Sequence, residues 1–462
     1  MAKKTKIILY LSFFLILFVC GCGLKQKPPA EVEPIEIWGI WDDSDLMKEF
    51  IHEYERQNPQ ISKISYRKFT PEEYEEELIK AFANQQGPDI FLAHHTWTQK
   101  NLNLMISLQE AQTIYNNTID NMGGCSKPPK IEEPLISQRQ YKEAFSSVVY
   151  KDFVKNGQIY GIPLAVDTLA LYYNQDLFNE QAIAYAPNTW EDLEKVSRLM
   201  TKKDEFGNIN QSGISLGTSR NVNRAGDILI MLMMQKGNEI VDFDKLRSNI
   251  NSKVKQPNGN LENVGVEAME FYSSFADATD PNYTWNSRMH NSIDLFQEGR
   301  LAMMINYTFA LETIRAKSPR LNFSVAEIPQ FKNSPPENRI TYPNYWGYVV
   351  SRSSAMVRNK PLEAWKFLKY LGQKEQSLKY TQATQRPGAR KDVIEIQKND
   401  PEIGIFAQQV LKAKSWFQPN EKKIDNILNN NIQDVALNRK TPEQAVEEID
   451  TKIQILLNEM KN

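Results

Sequence analysis

At 462 residues the chain is longer than one hydrophobic core usually serves, so two domains are expected. Charge nearly balances, at −2 with 24% charged residues, and no run of Lys or Arg could track a phosphate backbone, which argues against nucleic acid as a partner.

The first residues stand apart. Lys3, Lys4 and Lys6 precede an apolar stretch, residues 7–19, that is too short to span a bilayer comfortably and has the pattern of a secretory signal. It ends in "VCGCG", where Gly21 stands before Cys22. That resembles the bacterial lipobox, in which a diacylglyceryl thioether forms on the Cys before cleavage. Residues 1–21 are therefore expected to be a lipoprotein signal peptide and Cys22 the lipidated first residue. The polar, Pro-rich residues 22–33 then form a tether, and the protein sits on the extracytoplasmic face of the cell membrane. With Cys20 removed and Cys22 lipidated, Cys125 alone remains, so no intrachain disulfide is possible. Cys125 lies in the turn-rich "NMGGCSKPPK" and reads as a loop residue.

From Ile35 strand and helix patterns alternate. "IEIWGIW" is β-type, and a helix follows with Leu46, Met47, Phe50, Ile51 and Tyr54 on one face. "ISKISYRKF" is a second strand. "TPEEYEEELIKAFANQQ" opens with Thr70, Pro71 and Glu73 in capping-box order and stops at Gly87-Pro88. "DIFLA" is a continuous apolar run, the mark of a strand buried on both faces, so the opening predicts β-α-β-α-β in a parallel sheet. Asp89 precedes that strand and reads as a local structural residue. Residues 113–145 show no periodicity and read as an inserted surface loop. A second α/β unit begins with "GQIYGIPLAVDTLALYYNQDLF" around Asp167. Thr189 and Asp192 then frame one helix start, and further helices are expected at residues 266–275, 365–371 and after Thr441, Pro442 and Gln444. "SIDLFQEGRLAMMINYTFALETIRA" reads as helix, turn and strand.

The phrases "GPDIFLAHH", "GIPLAVDTLALYYNQDLF", "NTWEDLEKVSRL", "LFQEGRLAMMINYTF" and "YWGYVVSRSS", in that order, resemble the family 1 extracellular solute-binding proteins of bacterial ABC importers, the group containing maltose-binding protein. The resemblance implies the type II periplasmic-binding-protein fold, two α/β lobes joined by a hinge, each a mixed sheet flanked by helices. It would place residues 34–145 and 347–398 in the first lobe and 146–346 and 399–462 in the second. It implies a carbohydrate, an oligosaccharide or related polyol, held between the lobes, permease subunits as partners and a monomer. Asp42 and Asp43 match a polar pair that contacts sugar hydroxyls, His95 an aspartate after the third strand, Asp167 a cleft glutamate, Phe309 a stacking tryptophan and Trp416 a late aromatic. Leu92 and Thr96 replace an aromatic and an arginine of the maltose binder, so maltose itself is not the expected ligand.

The residue types fit that chemistry. Pyranose rings rest an apolar C–H face on aromatic rings and present hydroxyls that need partners. Trp41, Trp97, Tyr173, Phe309, Tyr345, Trp346 and Trp416 would supply the faces, and Asp42, Asp43 and Asp167 the charged acceptors. Tyr172 and Tyr173 are adjacent on a strand, so only one can reach a cleft. Trp38, Trp190 and Trp365 sit at core positions of their elements. His94-His95 invites a metal reading with Asp89 and His52, but neighbours on a strand point apart, and neither a metal nor a cofactor is expected. One rival is a glycoside-active enzyme using Asp42 or Asp43 with Asp167, whose carboxyls would need to stand about 5 to 10 Å apart. Another is a surface scaffold, which a cleft lined by bulky aliphatics would indicate. No GxSxG, phosphate-cradling Gly loop or CxxC pair demands catalysis.

Overall fold

The computed structural model describes residues 34–40, 42, 44–59, 61, 63–122, 128–256, 259–357 and 360–461. Its main strands, in chain order, are β1 (Ile35–Gly39), β2 (Ile64–Lys68), β3 (Ile90–His94), β4 (Gly161–Ile162) and β5 (Ala170–Asn174), then β6 (Lys202–Lys203), β7 (Ile209–Ile214), β8 (Leu301–Asn306), β9 (Phe323–Ala326) and β10 (Trp346–Val350). They form two five-stranded sheets, ordered β2-β1-β3-β10-β4 and β9-β5-β8-β7-β6.

In the first sheet β1 pairs in parallel with both β2 and β3, as the opening pattern predicts. All of β3 is buried, which is why it reads as an unbroken apolar run. The helix Ser44–Gln57 buries Met47, Phe50, Ile51 and Tyr54, the predicted face. The helix Pro71–Ala83 starts where expected, but its capping box does not form. The Thr70 hydroxyl donates to the Glu73 carboxylate at 2.9 Å instead of accepting from the backbone. Asp89 is structural: its carboxylate accepts from the Glu36 N–H at 2.9 Å, and its own N–H donates to the Glu36 carbonyl at 2.9 Å, pinning β3 to β1.

Residues 113–145 are not an irregular insertion. The helix Leu108–Asn121 runs into that stretch and Gln138–Ala144 forms a second helix. The pattern is hidden because polar Gln112 is buried beside Leu108, Ala111 and Ile119. Ser107 caps the first helix by accepting from the Glu110 N–H at 3.1 Å, and the Asn116 side chain clasps Ile131 through both its N–H and its carbonyl, each at 2.9 Å. Cys125 lies outside the described residues.

Two apolar cores result. The first gathers β1, β3 and β10 with Trp365, Phe367 and Leu368, and also Val148, Val149, Phe153, Ile162 and Val166. Residues 148–166 thus pack with the first lobe, not with the second as a division at 145/146 would have it. Ala407, Val410 and Ala413 do so as well. The physical reason is Phe153, whose ring lies over Gly161 and Gly347, where an added Cβ would meet it at 2.5 Å in each case. Helix Ser147–Phe153 is thereby fixed on the sheet. The second core surrounds β5, β7 and β8 and the helix Ala225–Gln235, which is buried almost all round. The last long helix, Pro442–Asn458, carries the capping box predicted for it. The Thr441 hydroxyl accepts from the Gln444 N–H at 3.3 Å, and the Gln444 side chain accepts from the Thr441 N–H at 3.0 Å. The chain passes between the cores at Asp167–Thr168, which pairs with Pro343–Asn344, and again at Ala413, which bridges to Thr341. Among the described residues no helix is long and apolar enough to cross a membrane.

Candidate functional site

Parallel strands expose their carboxyl ends along one edge of a sheet, and ligands gather beyond that edge. Here Asp42 follows β1, His94 ends β3, and Trp346 opens the antiparallel β10 directly opposite His94. All three line one cavity of about 470 Å³. Its other wall comes from the second lobe: Tyr307 of that core, with Arg224, Phe309 and Glu421 at the starts of neighbouring helices. The cavity therefore lies between the lobes.

On the first-lobe wall the Trp346 ring meets His94 edge-on at 5.1 Å and is half-buried, so part of its surface faces the cavity. His94 Nδ1 lies 2.8 Å from the Thr96 hydroxyl and 3.1 Å from the Glu421 carboxylate, which bridges the lobes. Burial pushes His94 down to about 4, a shift that Glu421 opposes, so the ring is neutral at physiological pH. His95 points elsewhere, because adjacent strand residues face opposite ways. It stacks on Tyr345 with centroids 4.7 Å apart and planes within 4°, and its Nδ1 approaches Asp152 at 3.2 Å as a close contact without hydrogen-bond alignment.

The carboxylates of the wall are already occupied. Asp42 is buried and takes hydrogen bonds from the Tyr348 and Tyr380 hydroxyls. Asp167 accepts from the Thr168 N–H at 2.8 Å, the Thr308 N–H at 3.1 Å and the Thr308 hydroxyl at 2.6 Å, so it anchors the start of the helix Phe309–Lys317. Burial nevertheless raises it to about 6, against the lowering pull of those bonds and of Arg386. The two arginines are less engaged. Arg386 Nη1 lies 3.5 Å from the Tyr380 hydroxyl, and the Arg224 guanidinium sits 5.4 Å over the Tyr307 ring and 5.7 Å over Phe309.

Of the residues singled out from sequence, Asp42, Asp167, Phe309, Tyr345 and Trp346 come together in this cavity. Trp41 and Asp43 lie outside the described residues. Four others, His95, Tyr173, Trp97 and Trp416, lie outside it. His95 lines the neighbouring spaces, and His94 takes the place expected of it. Tyr173 packs on Phe178 at 5.0 Å on the outer side of its strand, while Tyr172 turns inward and gives its hydroxyl to the Tyr307 carbonyl at 2.6 Å, so neither lines the cavity. Trp97 stands edge-on behind Trp346 at 5.1 Å and supports that ring from outside the cavity. Trp416 is buried, donates to the Tyr342 hydroxyl at 2.8 Å and borders the adjoining spaces. Sequence reasoning missed Arg224, Tyr380, Arg386 and Glu421. Glu421 could have been found, since Asn420 before it is a helix cap that accepts from the Lys423 N–H at 3.0 Å.

Residues 49–405 match the family described as bacterial extracellular solute-binding protein. A binding protein of Brucella abortus strain 2308 is 27% identical over 339 residues, covering 71% of this chain and 75% of its own length. The maltodextrin-binding protein MdxE of Bacillus subtilis strain 168 is 25% identical over 279 residues, 58% of this chain and 59% of its own. The solved structure of the sugar-binding protein MalE from Xanthomonas citri superposes with a TM-score of 0.71 at 18% identity, over 93% of this chain and 98% of that one, and so shares the two-lobe α/β fold. With a family match running over most of its length, the chain belongs to the bacterial extracellular solute-binding proteins.

Proposed function

We propose that the protein captures a carbohydrate between its two lobes and delivers it, as a monomer, to the permease subunits of an ABC importer, held at the extracytoplasmic face of the membrane by lipid on Cys22. One observation carries the reading. The interlobe cavity sets the open faces of Phe309 and Trp346 beside guanidinium and carboxylate groups, the pairing of apolar platform and polar edge that a saccharide requires. The maltodextrin-binding and sugar-binding relatives agree with it. Hydrolysis fits less well, because Asp42 and Asp167 both have their oxygens committed to protein donors. A scaffold fits less well too, since two arginines and three acids share the walls.

Ligand closure stabilises the folded state and not the unfolded chain. A cognate saccharide at a hundred times its dissociation constant should therefore add about 2.7 kcal/mol, visible as a thermal shift. Emission from Trp346 should move with the same midpoint. A panel of mono-, di- and oligosaccharides that leaves both signals flat would contradict the reading. For the anchor, Cys22→Ala should release the protein or leave it unprocessed, because a diacyl group with a further chain holds far better than one chain. Normal retention and normal mature mass would remove that part of the proposal.

A further inference from the structure

We propose that the saccharide is an acidic one, whose carboxylate or phosphate is gripped by Arg224 and Arg386 from the two sides of the cleft; this rests on the carbohydrate reading above. Arg386 comes from the first-lobe side, just after the helix Lys374–Thr384, and Arg224 from the second, at the start of the helix Ala225–Gln235. Among the described residues neither guanidinium has a carboxylate within ion-pair distance: one reaches only the Tyr380 hydroxyl, at 3.5 Å, and the other lies over aromatic rings. Their planar N–H forks are therefore largely unspent, and that geometry matches an oxyanion.

Three carboxylates line the same cavity and would repel an anion if their oxygens were open. Two are not: Asp42 is held by two tyrosine hydroxyls and Asp167 by Thr168 and Thr308, while Glu421 lies 3.1 Å from His94 with its side chain 38% exposed. Asp227 and Asp425, near Arg224, temper its charge without pairing with it. Arg224 adopts the left-handed conformation, with φ of 65°, which a residue with a Cβ enters only at a cost.

The test is calorimetric titration of the purified full chain with digalacturonate, N-acetylneuraminate and galactose 6-phosphate, each against neutral galactobiose and maltotriose. At least one acidic probe should bind more than about tenfold tighter than both neutral ones, and Arg386→Gln and Arg224→Gln should each weaken it by about 10- to 100-fold, at least about tenfold more than they weaken neutral binding. Preference for digalacturonate or N-acetylneuraminate would assign the anion as a carboxylate, and preference for galactose 6-phosphate as a phosphate. Arg386→Lys should recover part of the loss, which separates charge from packing, and the melting temperatures of all variants check folding. Neutral probes that bind as well as the acidic ones, or variants that weaken both classes equally, overturn the inference and leave the carbohydrate reading standing. Failure of every probe overturns both.

Discussion

His94 lines one cavity of about 470 Å³, and its neighbour His95 lines another of the same volume. The first has strand ends on one side and helix starts on the other. The second is walled largely by a short hairpin around Val241–Asp242 and by Lys151, Lys155 and Lys414. What separates them is how many groups remain uncommitted. In the second, the Asp152 carboxylate takes the Tyr345 hydroxyl at 2.7 Å and the Ser415 hydroxyl at 2.6 Å, and Lys155 donates to the Lys151 carbonyl at 2.7 Å. Its aromatic rings are spent as well: Phe243 meets Phe417 edge-on at 4.9 Å and Trp416 is buried with its N–H bonded. In the first, Phe309 is 40% exposed and two guanidiniums are free to bind. Volume alone does not choose a binding site; unspent donors and open ring faces do.

Breaking the second region should cost folding and not binding. Asp152→Ala removes a buried carboxylate from two hydroxyls and leaves His95 beside an empty space, so it should lower stability by about 3 to 5 kcal/mol in chemical denaturation. Saccharide affinity in the folded fraction should stay within about threefold of wild type. A stable variant that has lost its ligand would reverse the assignment of the two cavities.

The first region should show the opposite balance. Trp346→Ala should weaken saccharide binding by about 2 kcal/mol, roughly 30-fold. Trp416→Ala, read by the same titration, should change affinity little and cost about 3 kcal/mol of stability. Equal binding losses at both positions would mean that the two spaces act as one site.

A smaller effect comes from the narrow space of about 150 Å³ that joins them, where Asp227 accepts the Tyr307 hydroxyl at 2.9 Å. Burial raises this carboxyl from 3.8 to about 6, helped by Asp425 and Glu421 and opposed by Arg224 and Tyr307. The folded state keeps a proton that the unfolded chain has released, so stability falls as pH rises from 3.8 to about 6 and the penalty is complete above that range. Asp227→Asn keeps an acceptor for Tyr307 without the charge. It should gain about 1 kcal/mol at pH 7.5, after allowance for solvent screening of a half-buried group, and nothing near pH 4. A loss at both pH values would show that the charge itself is needed.

Much of the fold was legible because it rests on short-range rules. The unbroken apolar run of β3, the face of Ser44–Gln57 and the Thr441 capping box each follow from spacing within a few residues. The same rules failed where a tertiary partner decides. Gln112 sits on a buried face, and Thr70 prefers the Glu73 side chain to the backbone. At the site, residue type found Asp42, Phe309 and Trp346, but facing is set by strand register: His94 and not His95 enters the cavity, and Tyr172 and Tyr173 both miss it. Arg224 and Arg386 had no local signal. One sits in a left-handed turn and the other after a helix closed by left-handed Gln385, and only folding brings them to one cavity.

The most direct test of the central claim is a crystal structure of the protein with the tightest saccharide from the binding panel. Ligand should lie between the lobes against Phe309 and Trp346, within hydrogen-bonding reach of Arg224 or Arg386. Ligand seated instead in the cavity of Lys151, Lys155 and Lys414, with the first cavity empty, would contradict the account.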